Sequence, residues 1–327
     1  MPGVLPLEEG ASGDAVGDLR TRLGELGLGT GEDAPARFGP ATRAAVEAFQ
    51  HRRGLRVDGV CGSQTWNTLV EAGFRLGDRA LFRRSPMLRG DDVAELQQRL
   101  GALGFDGGRV DGIFGDHTAT GVREFQHNIG VQVDGIVGPL TVGELLRMQA
   151  RHRRTELVSN VRAREELRRA PPTLVGRHVA IGEQGGLAVT LSAFRRCLVA
   201  SGARVTAMHH PDDSTQARQA NAGEADVLVA LRLDPGALGC TTAYYAGYRT
   251  ESPGGRRLAE LVQALVPRAL DIADGGIRGM SVPLLRETQM PAVIVELGPA
   301  AVVVERSRAL AGALAESVEA WARSLWE

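Results

Sequence analysis

The chain has 327 residues, which suggests two or three domains of ordinary size. A hydrophobic content of 43% and a charged content of 24% are typical of a globular protein. The formal net charge is -1, which excludes a strong overall attraction to nucleic acid or to an anionic membrane.

The N-terminal residues contain neither the basic region nor the apolar region of a secretory signal. No uncharged apolar run is long enough to span a bilayer, so we expect no transmembrane segment. Cys61, Cys197 and Cys240 are far apart and odd in number, which favours neither a disulfide framework nor a zinc ribbon. We therefore expect a cytoplasmic protein.

The first half of the chain contains one unit twice. Each copy has Phe-Gly-x-x-Thr, then Phe-Gln, then Asp-Gly-x-x-Gly, and Phe49 to Phe125 has the same offset as Asp58 to Asp134. Apolar residues at helical spacing and Asp-Gly turns predict an all-α module of three helices in each copy. We place the first repeat at 1–73 and the second at 74–148.

These motifs resemble the peptidoglycan-binding type 1 domain over nearly all of residues 13–148. The resemblance implies that the repeats bind glycan. Nearly all the shared residues are core or turn residues, which specify a fold but not a ligand. Glycan binding and simple docking onto the rest of the protein therefore remain open alternatives.

Residues 149–173 are rich in arginine and end at Pro171-Pro172, which stops any helix. This segment is either a solvated linker helix or a segment that docks onto a partner. From residue 174 to 327, short β-branched runs alternate with helical stretches, which predicts an α/β sandwich with a mostly parallel sheet. Its expected strands are residues 178–181, 203–208, 226–231, 241–246 and 292–297.

The ordered landmarks of this second half are Gly185-Gly186, Ala220-Asn221, Leu285-Arg286 and Val295-Glu296-Leu297-Gly298. They resemble the zinc-dependent N-acetylmuramoyl-L-alanine amidases (amidase type 3). The resemblance implies hydrolysis of the amide between the glycan lactyl group and the stem peptide. It also implies a zinc ion held by two histidines and a glutamate, with a second glutamate as general base.

The resemblance transfers poorly to the individual site positions. Gln184 stands where the first histidine ligand is expected, and Arg232 stands at the third ligand position. Glu183 could take the place of the glutamate ligand, but then no residue would be left for the first ligand. Arginine stays protonated and offers a metal no lone pair. Only Glu296, at the general-base position, matches. We therefore expect no bound metal, and we expect zinc only if the protein is an active enzyme.

Other residues offer alternatives to this degenerate site. His209 and His210 follow the second expected strand and could rebuild a metal site, whereas His178 lies at the wrong end of the sheet. Residues 182–186 could form a phosphate loop, although they lack the lysine and the spacing of known ones. Because Arg232 and Glu296 should lie at adjacent strand ends, we also expect them to form an ion pair.

The combination of two repeats, an Arg-rich linker and a degenerate amidase domain resembles the actinobacterial amidase-like regulators of cell-wall precursor synthesis. That resemblance implies UDP-N-acetylglucosamine enolpyruvyl transferase as a partner, with links to the lipid II flippase and to Ser/Thr kinase signalling. A muropeptide or a lipid-linked precursor is a further candidate ligand. Three hypotheses follow: a non-catalytic regulator or scaffold, an active zinc amidase, and a protein that only binds muropeptide or peptidoglycan.

Overall fold

A computed structural model describes residues 5–149, 172–234, 236–247 and 250–324. The chain divides into two compact units, Met1–Glu165 and Glu166–Glu327. Each unit is described by itself. The Arg-rich segment lies almost entirely outside the described residues. None of the described helices is long and apolar enough to cross a membrane.

The first unit contains two three-helix modules, as predicted from the repeats. Their helices are α1 (Asp14–Glu25), α2 (Pro40–Arg52) and α3 (Ser63–Ala72), followed by α4 (Asp91–Ala102), α5 (Asp116–Ile129) and α6 (Pro139–Gln149). Each module buries its own apolar cluster, with Phe38 and Phe49 in the first and Phe114 and Phe125 in the second.

A buried glutamine fixes the Asp-Gly turn of each module. The Gln126 amide donates to Asp134, to the Ile136 carbonyl and to Thr141, and it accepts from the backbone N–H groups of Asp134 and Gly135. Gln50 makes the same set of bonds in the first module. Gln97 forms a third such arrangement with Asp111, which the repeat motif did not predict. The glutamines of the Phe-Gln motif therefore serve the fold.

Arginine side chains connect the two modules. Arg53, at the end of the first module's second helix, is buried and lies 2.8 Å from Asp91. In the segment between the modules, Arg79 lies 3.7 Å above the ring of Phe74 and 2.7 Å from the buried Asp92. The Arg53–Asp91 ion pair therefore joins the two modules of the first unit.

The second unit is built on a six-stranded sheet in the order β2-β1-β3-β6-β4-β5. The strands are β1 (His178–Glu183), β2 (Arg204–His209), β3 (Val227–Leu233), β4 (Gly239–Tyr245), β5 (Ala273–Met280) and β6 (Ala292–Leu297). Strands β1, β2, β3 and β6 run parallel to one another, and β4 is antiparallel to β6. This arrangement confirms the predicted α/β fold with a mostly parallel sheet.

Helices cover both faces of this sheet. They are α7 (Ala188–Ala200), α8 (Asp213–Ala222), α9 (Pro253–Leu270), α10 (Pro283–Glu287), α11 (Ala300–Glu305) and α12 (Ser307–Ser324). One face packs against α7, α9 and α12 through residues such as Val229 and Val295. The other packs against α8 and α10 through residues such as Ala230 and Ile294. Successive strand residues point to opposite faces, so Arg232 and Glu296 continue this second face.

Candidate functional site

The four residues singled out in the sequence all lie at the carboxyl edge of the parallel strands. Glu183 ends β1 and Gln184 follows it, while Arg232 and Glu296 are register partners near the ends of β3 and β6. In open parallel sheets, ligands bind at this edge. The predicted location of the site therefore agrees with the topology of the sheet.

Asp213 connects two of these positions. It is the first residue of α8, and its Oδ1 accepts from Gln184 Nε2 at 2.7 Å and from Arg232 Nη2 at 2.5 Å. The Arg232 and Asp213 side chains are only 20% and 16% exposed. A charge-assisted bond between partly buried groups is strong, and the helix N-terminus adds favourable potential for the carboxylate. The side chains of Arg232 and Gln184 thus both donate to one carboxylate, that of Asp213.

Glu183 is held by a different set of donors. Its Oε2 accepts from the backbone N–H groups of Gly185 and Leu187, and its Oε1 lies 2.8 Å from His209 Nδ1. Burial by itself raises the pKa of Glu183, but the His209 hydrogen bond and the two backbone donors outweigh burial and lower the pKa below its usual value. Glu183 is therefore a carboxylate that fixes the loop after β1.

Glu296 does not form the predicted ion pair with Arg232. Although the two are register partners, Arg232 turns to Asp213, and Glu296 lies 3.6 Å from Arg278 of β5. The prediction was wrong because it considered only the two strand ends and not the helix that follows β2. Arg278 is 58% exposed, so its pairing with Glu296 is weak.

The described histidines of the second unit do not assemble a metal site. His178 is buried at the start of β1, where its ring nitrogens meet the Gly223 carbonyl and Thr206 Oγ1. His210 Nδ1 accepts from the Asp212 backbone, and His209 faces Glu183. Within the described ranges, no group of three His, Cys, Asp or Glu side chains could hold a metal ion.

The residues at the expected zinc positions do not fit zinc. A structural or catalytic zinc site needs at least three lone-pair donors, mostly imidazole, thiolate or carboxylate. Here one position offers a guanidinium, and another offers an amide whose NH2 points at Asp213. The Asp213 carboxylate is already bound to both.

Asp213 and Arg278 were both missed by the sequence-based reasoning. Asp213 carried a usable signal, because an Asp-Asp pair follows the end of β2 and begins a helix at the correct edge of the sheet. Arg278 carried none, because β5 contains three glycines and does not resemble a strand.

Comparison with known sequence families matches each part of the chain separately. The peptidoglycan binding domain family matches residues 12–69 and 89–145, and the N-acetylmuramoyl-L-alanine amidase family matches residues 186–311. The N-acetylmuramoyl-L-alanine amidase CwlM of Mycobacterium tuberculosis is 33% identical, over 87% of this chain and 79% of that protein. A probable N-acetylmuramoyl-L-alanine amidase of Bacillus licheniformis is 31% identical, over 43% of this chain and 45% of that protein.

A solved structure of the amidase Ami1 from Mycobacterium smegmatis covers 46% of this chain and 99% of its own, with 15% identity and a TM-score of 0.41. The sequence matches decide the classification. The chain belongs to the N-acetylmuramoyl-L-alanine amidase family and carries two peptidoglycan-binding repeats. It is thus an amidase-like, peptidoglycan-associated protein.

Proposed function

We propose that this protein is a non-catalytic, amidase-like regulator or scaffold of peptidoglycan synthesis. The observation that carries the proposal is the network Gln184–Asp213–Arg232 at the edge of the sheet. Amidases of this class use a zinc ion to activate water and polarise the scissile carbonyl. A guanidinium cannot bind water as a ligand and lower its pKa as a metal does, and the Arg232 guanidinium already donates to Asp213.

Glu296 occupies the general-base position of the family but lacks the activated nucleophile that such a base needs. A general base must receive a proton from a nucleophile that is already positioned and activated. Glu296 pairs with Arg278 on β5, and no group of three potential metal ligands occurs among the described residues. We therefore assign Glu296 no catalytic role.

A cleavage assay tests the loss of catalysis. The wild-type protein and Glu296→Gln are incubated with muropeptide in the presence of zinc, and release of the stem peptide is followed by mass spectrometry. We expect the two proteins to give the same background rate. Cleavage by the wild type that falls at least about a hundredfold in Glu296→Gln would contradict the proposal.

The partner follows from the resemblance described above. We propose that UDP-N-acetylglucosamine enolpyruvyl transferase binds this protein in the cytoplasm and that this binding changes the catalytic rate of the transferase. The test is the steady-state rate of the purified transferase with and without an excess of this protein. No change in kcat or KM, combined with no binding by calorimetry, would refute this partner but would leave the non-catalytic site unaffected.

A further inference from the structure

The two repeats differ in the length of one surface loop. In each repeat, the loop runs between two backbone contacts that both modules share. These contacts join Leu7 with Cys61 and Ala11 with Phe38 in the first repeat, and Leu81 with Val137 and Leu88 with Phe114 in the second. They enclose three residues in the first repeat, Glu8–Gly10, and six in the second, Phe82–Met87. The second repeat therefore carries an insertion at this point.

The longer loop is basic and apolar. We call Phe82–Met87 the repeat-2 loop; its sequence is Phe-Arg-Arg-Ser-Pro-Met, and all six residues are exposed. The shorter loop of the first repeat is Glu-Glu-Gly. The first module folds around the same kind of core with the shorter loop, so the fold does not require the insertion. Surface loops of this kind are where binding residues concentrate.

The first repeat shows which helix residues share a surface with this loop. Arg43 of α2 lies 3.4 Å from Glu9 of the loop and 3.0 Å from Glu47, one turn further along the helix. Glu47 also covers the Asp-Gly turn, since a Cβ atom added to Gly59 would lie 2.8 Å from its Oε1. In the first repeat, loop and helix thus form a closed network in which one cation lies between two anions.

The equivalent positions of the second repeat carry the opposite charges. Alignment of the repeats gives three replacements, which are Glu9 by Arg83, Arg43 by Ala119 and Glu47 by Arg123. Arg123 covers its Asp-Gly turn as Glu47 does, with its Nε 3.2 Å from a Cβ atom added to Gly135. Both anions of the network have become cations, and the charge between them is missing.

The described charges of the second repeat compensate these arginines only in part. Arg83 donates to Asp116, so Arg83 by itself does not indicate an external ligand. Among the residues that the structure describes, Arg84 and Arg123 form no ion pair. The Asp134 carboxylate, beside Arg123, accepts from a buried glutamine, as its counterpart does in the first repeat. Arg84 and Arg123 therefore remain available to an anion from outside.

We propose that the repeat-2 loop and Arg123 bind an acidic segment of a protein partner. A carboxylate of the partner supplies the missing charge and faces Arg84 and Arg123. An apolar side chain of the same segment packs on Phe82 and Met87, which are 39% and 47% exposed. The inference concerns the first unit alone and does not depend on the non-catalytic site.

The composition of this surface favours a protein as the occupant. Arginine, methionine and aromatic residues are enriched at protein interfaces, and all three types occur in the repeat-2 loop. Anionic membranes are instead recognised by clusters of about four to eight basic residues. The loop and Arg123 together supply three arginines, interleaved with apolar residues. Charge complementarity then requires that the bound segment be acidic.

Selection of binding peptides tests this surface. A phage-displayed library of random peptides is selected on the full chain, and we expect enrichment of Asp and Glu beside an apolar residue. Fluorescence polarisation with labelled selected peptides should show binding at least about tenfold weaker for the Arg84→Glu, Arg123→Glu double variant than for the wild type. Added salt should weaken binding to the wild type. Arg56→Glu is the matched control, because Arg56 is exposed on the first repeat, and it should bind like the wild type.

Reversing the charge of the peptide tests the contact itself. Peptides in which Lys replaces the acidic residues should bind the double variant more tightly than they bind the wild type. Circular dichroism checks that each variant is folded. Selected peptides without acidic residues, or equal affinities of the wild type and the folded double variant, would overturn the proposal. Binding of soluble muropeptide, of anionic phospholipid vesicles or of a second copy that depends on Arg84 and Arg123, with no peptide binding there, would also overturn it.

Discussion

Asp213 is the residue on which the candidate site depends, since it accepts hydrogen bonds from both Gln184 and Arg232. Asp213→Ala leaves a partly buried guanidinium without its counter-ion. We expect a loss of about 2–3 kcal/mol in the free energy of unfolding, between the values for exposed and fully buried pairs. Arg232→Ala should cost a similar amount. The double variant should be less destabilised than the sum of the single variants, by at least about 1 kcal/mol. Urea denaturation of the four proteins measures this coupling.

Glu296 should contribute less than Asp213 to the free energy of unfolding. Its partner Arg278 is 58% exposed, so Glu296→Ala should change the free energy of unfolding by less than about 1 kcal/mol. It should also add to Arg232→Ala without coupling, because the two side chains pair with different residues. A coupling as large as that between Asp213 and Arg232 would show that Glu296 also stabilises Arg232.

Glu183 should give the protein a pH-dependent stability. Because the pKa of Glu183 is lowered in the folded state, its contribution is complete above the unfolded pKa of about 4.5 and is lost as the pH falls through the folded pKa. Glu183→Gln should therefore flatten the acid limb of the stability curve. Urea denaturation from about pH 3 to about pH 7 measures this slope. The exposed Glu305→Gln is the control, and an unchanged slope in Glu183→Gln would refute the assignment.

At the scale of elements, the buried glutamines fix the turns of the helical modules. Gln126→Ala removes an amide that serves three acceptors and two backbone donors, and some of these groups remain buried. We expect a loss of about 2–3 kcal/mol in the free energy of unfolding of the first unit, measured by thermal or urea denaturation. Gln64→Ala, at an exposed position, should cost less than about 0.5 kcal/mol. Equal effects of the two substitutions would mean that the buried bonds contribute nothing.

The elements differ in how well the sequence predicted them. The three-helix repeats and the buried strands β1, β3 and β6 were predictable, because apolar periodicity and β-branched runs follow directly from burial. The edge strand β5 was not, because Gly275, Gly276 and Gly279 lower its strand propensity and only pairing with β4 makes it extended. The last helical stretch of the chain is divided, since a turn at Arg306 separates α11 from α12.

The candidate site was predictable in position but not in its contacts. The location of the site at the carboxyl edge follows from the parallel topology. Gln184 and Arg232 are residue types that bind metal poorly, which the sequence alone shows. Which carboxylate meets Arg232 depends on where α8 begins relative to β3, a tertiary relation that residue spacing does not encode. The register that makes Arg232 and Glu296 neighbours was correct, and the ion pair inferred from it was not.

At the scale of the whole molecule, two peptidoglycan-binding repeats are joined to an amidase-like unit that lacks a recognisable metal site in its described residues. The repeats and the amidase-like fold indicate that the protein is associated with peptidoglycan. The proposed loss of catalysis leaves binding as the property through which the protein acts. The candidate partner belongs to this interpretation.

Zinc stoichiometry is the most direct test of the non-catalytic site. The protein is incubated with excess zinc, dialysed, and analysed for metal by elemental mass spectrometry, beside an active zinc amidase treated in the same way. We predict less than about 0.1 zinc per chain, because Gln184 and Arg232 both donate to Asp213 and Glu183 accepts from its own donors. About one zinc per chain, lost in Glu183→Gln or Asp213→Ala variants that remain folded, would contradict the account.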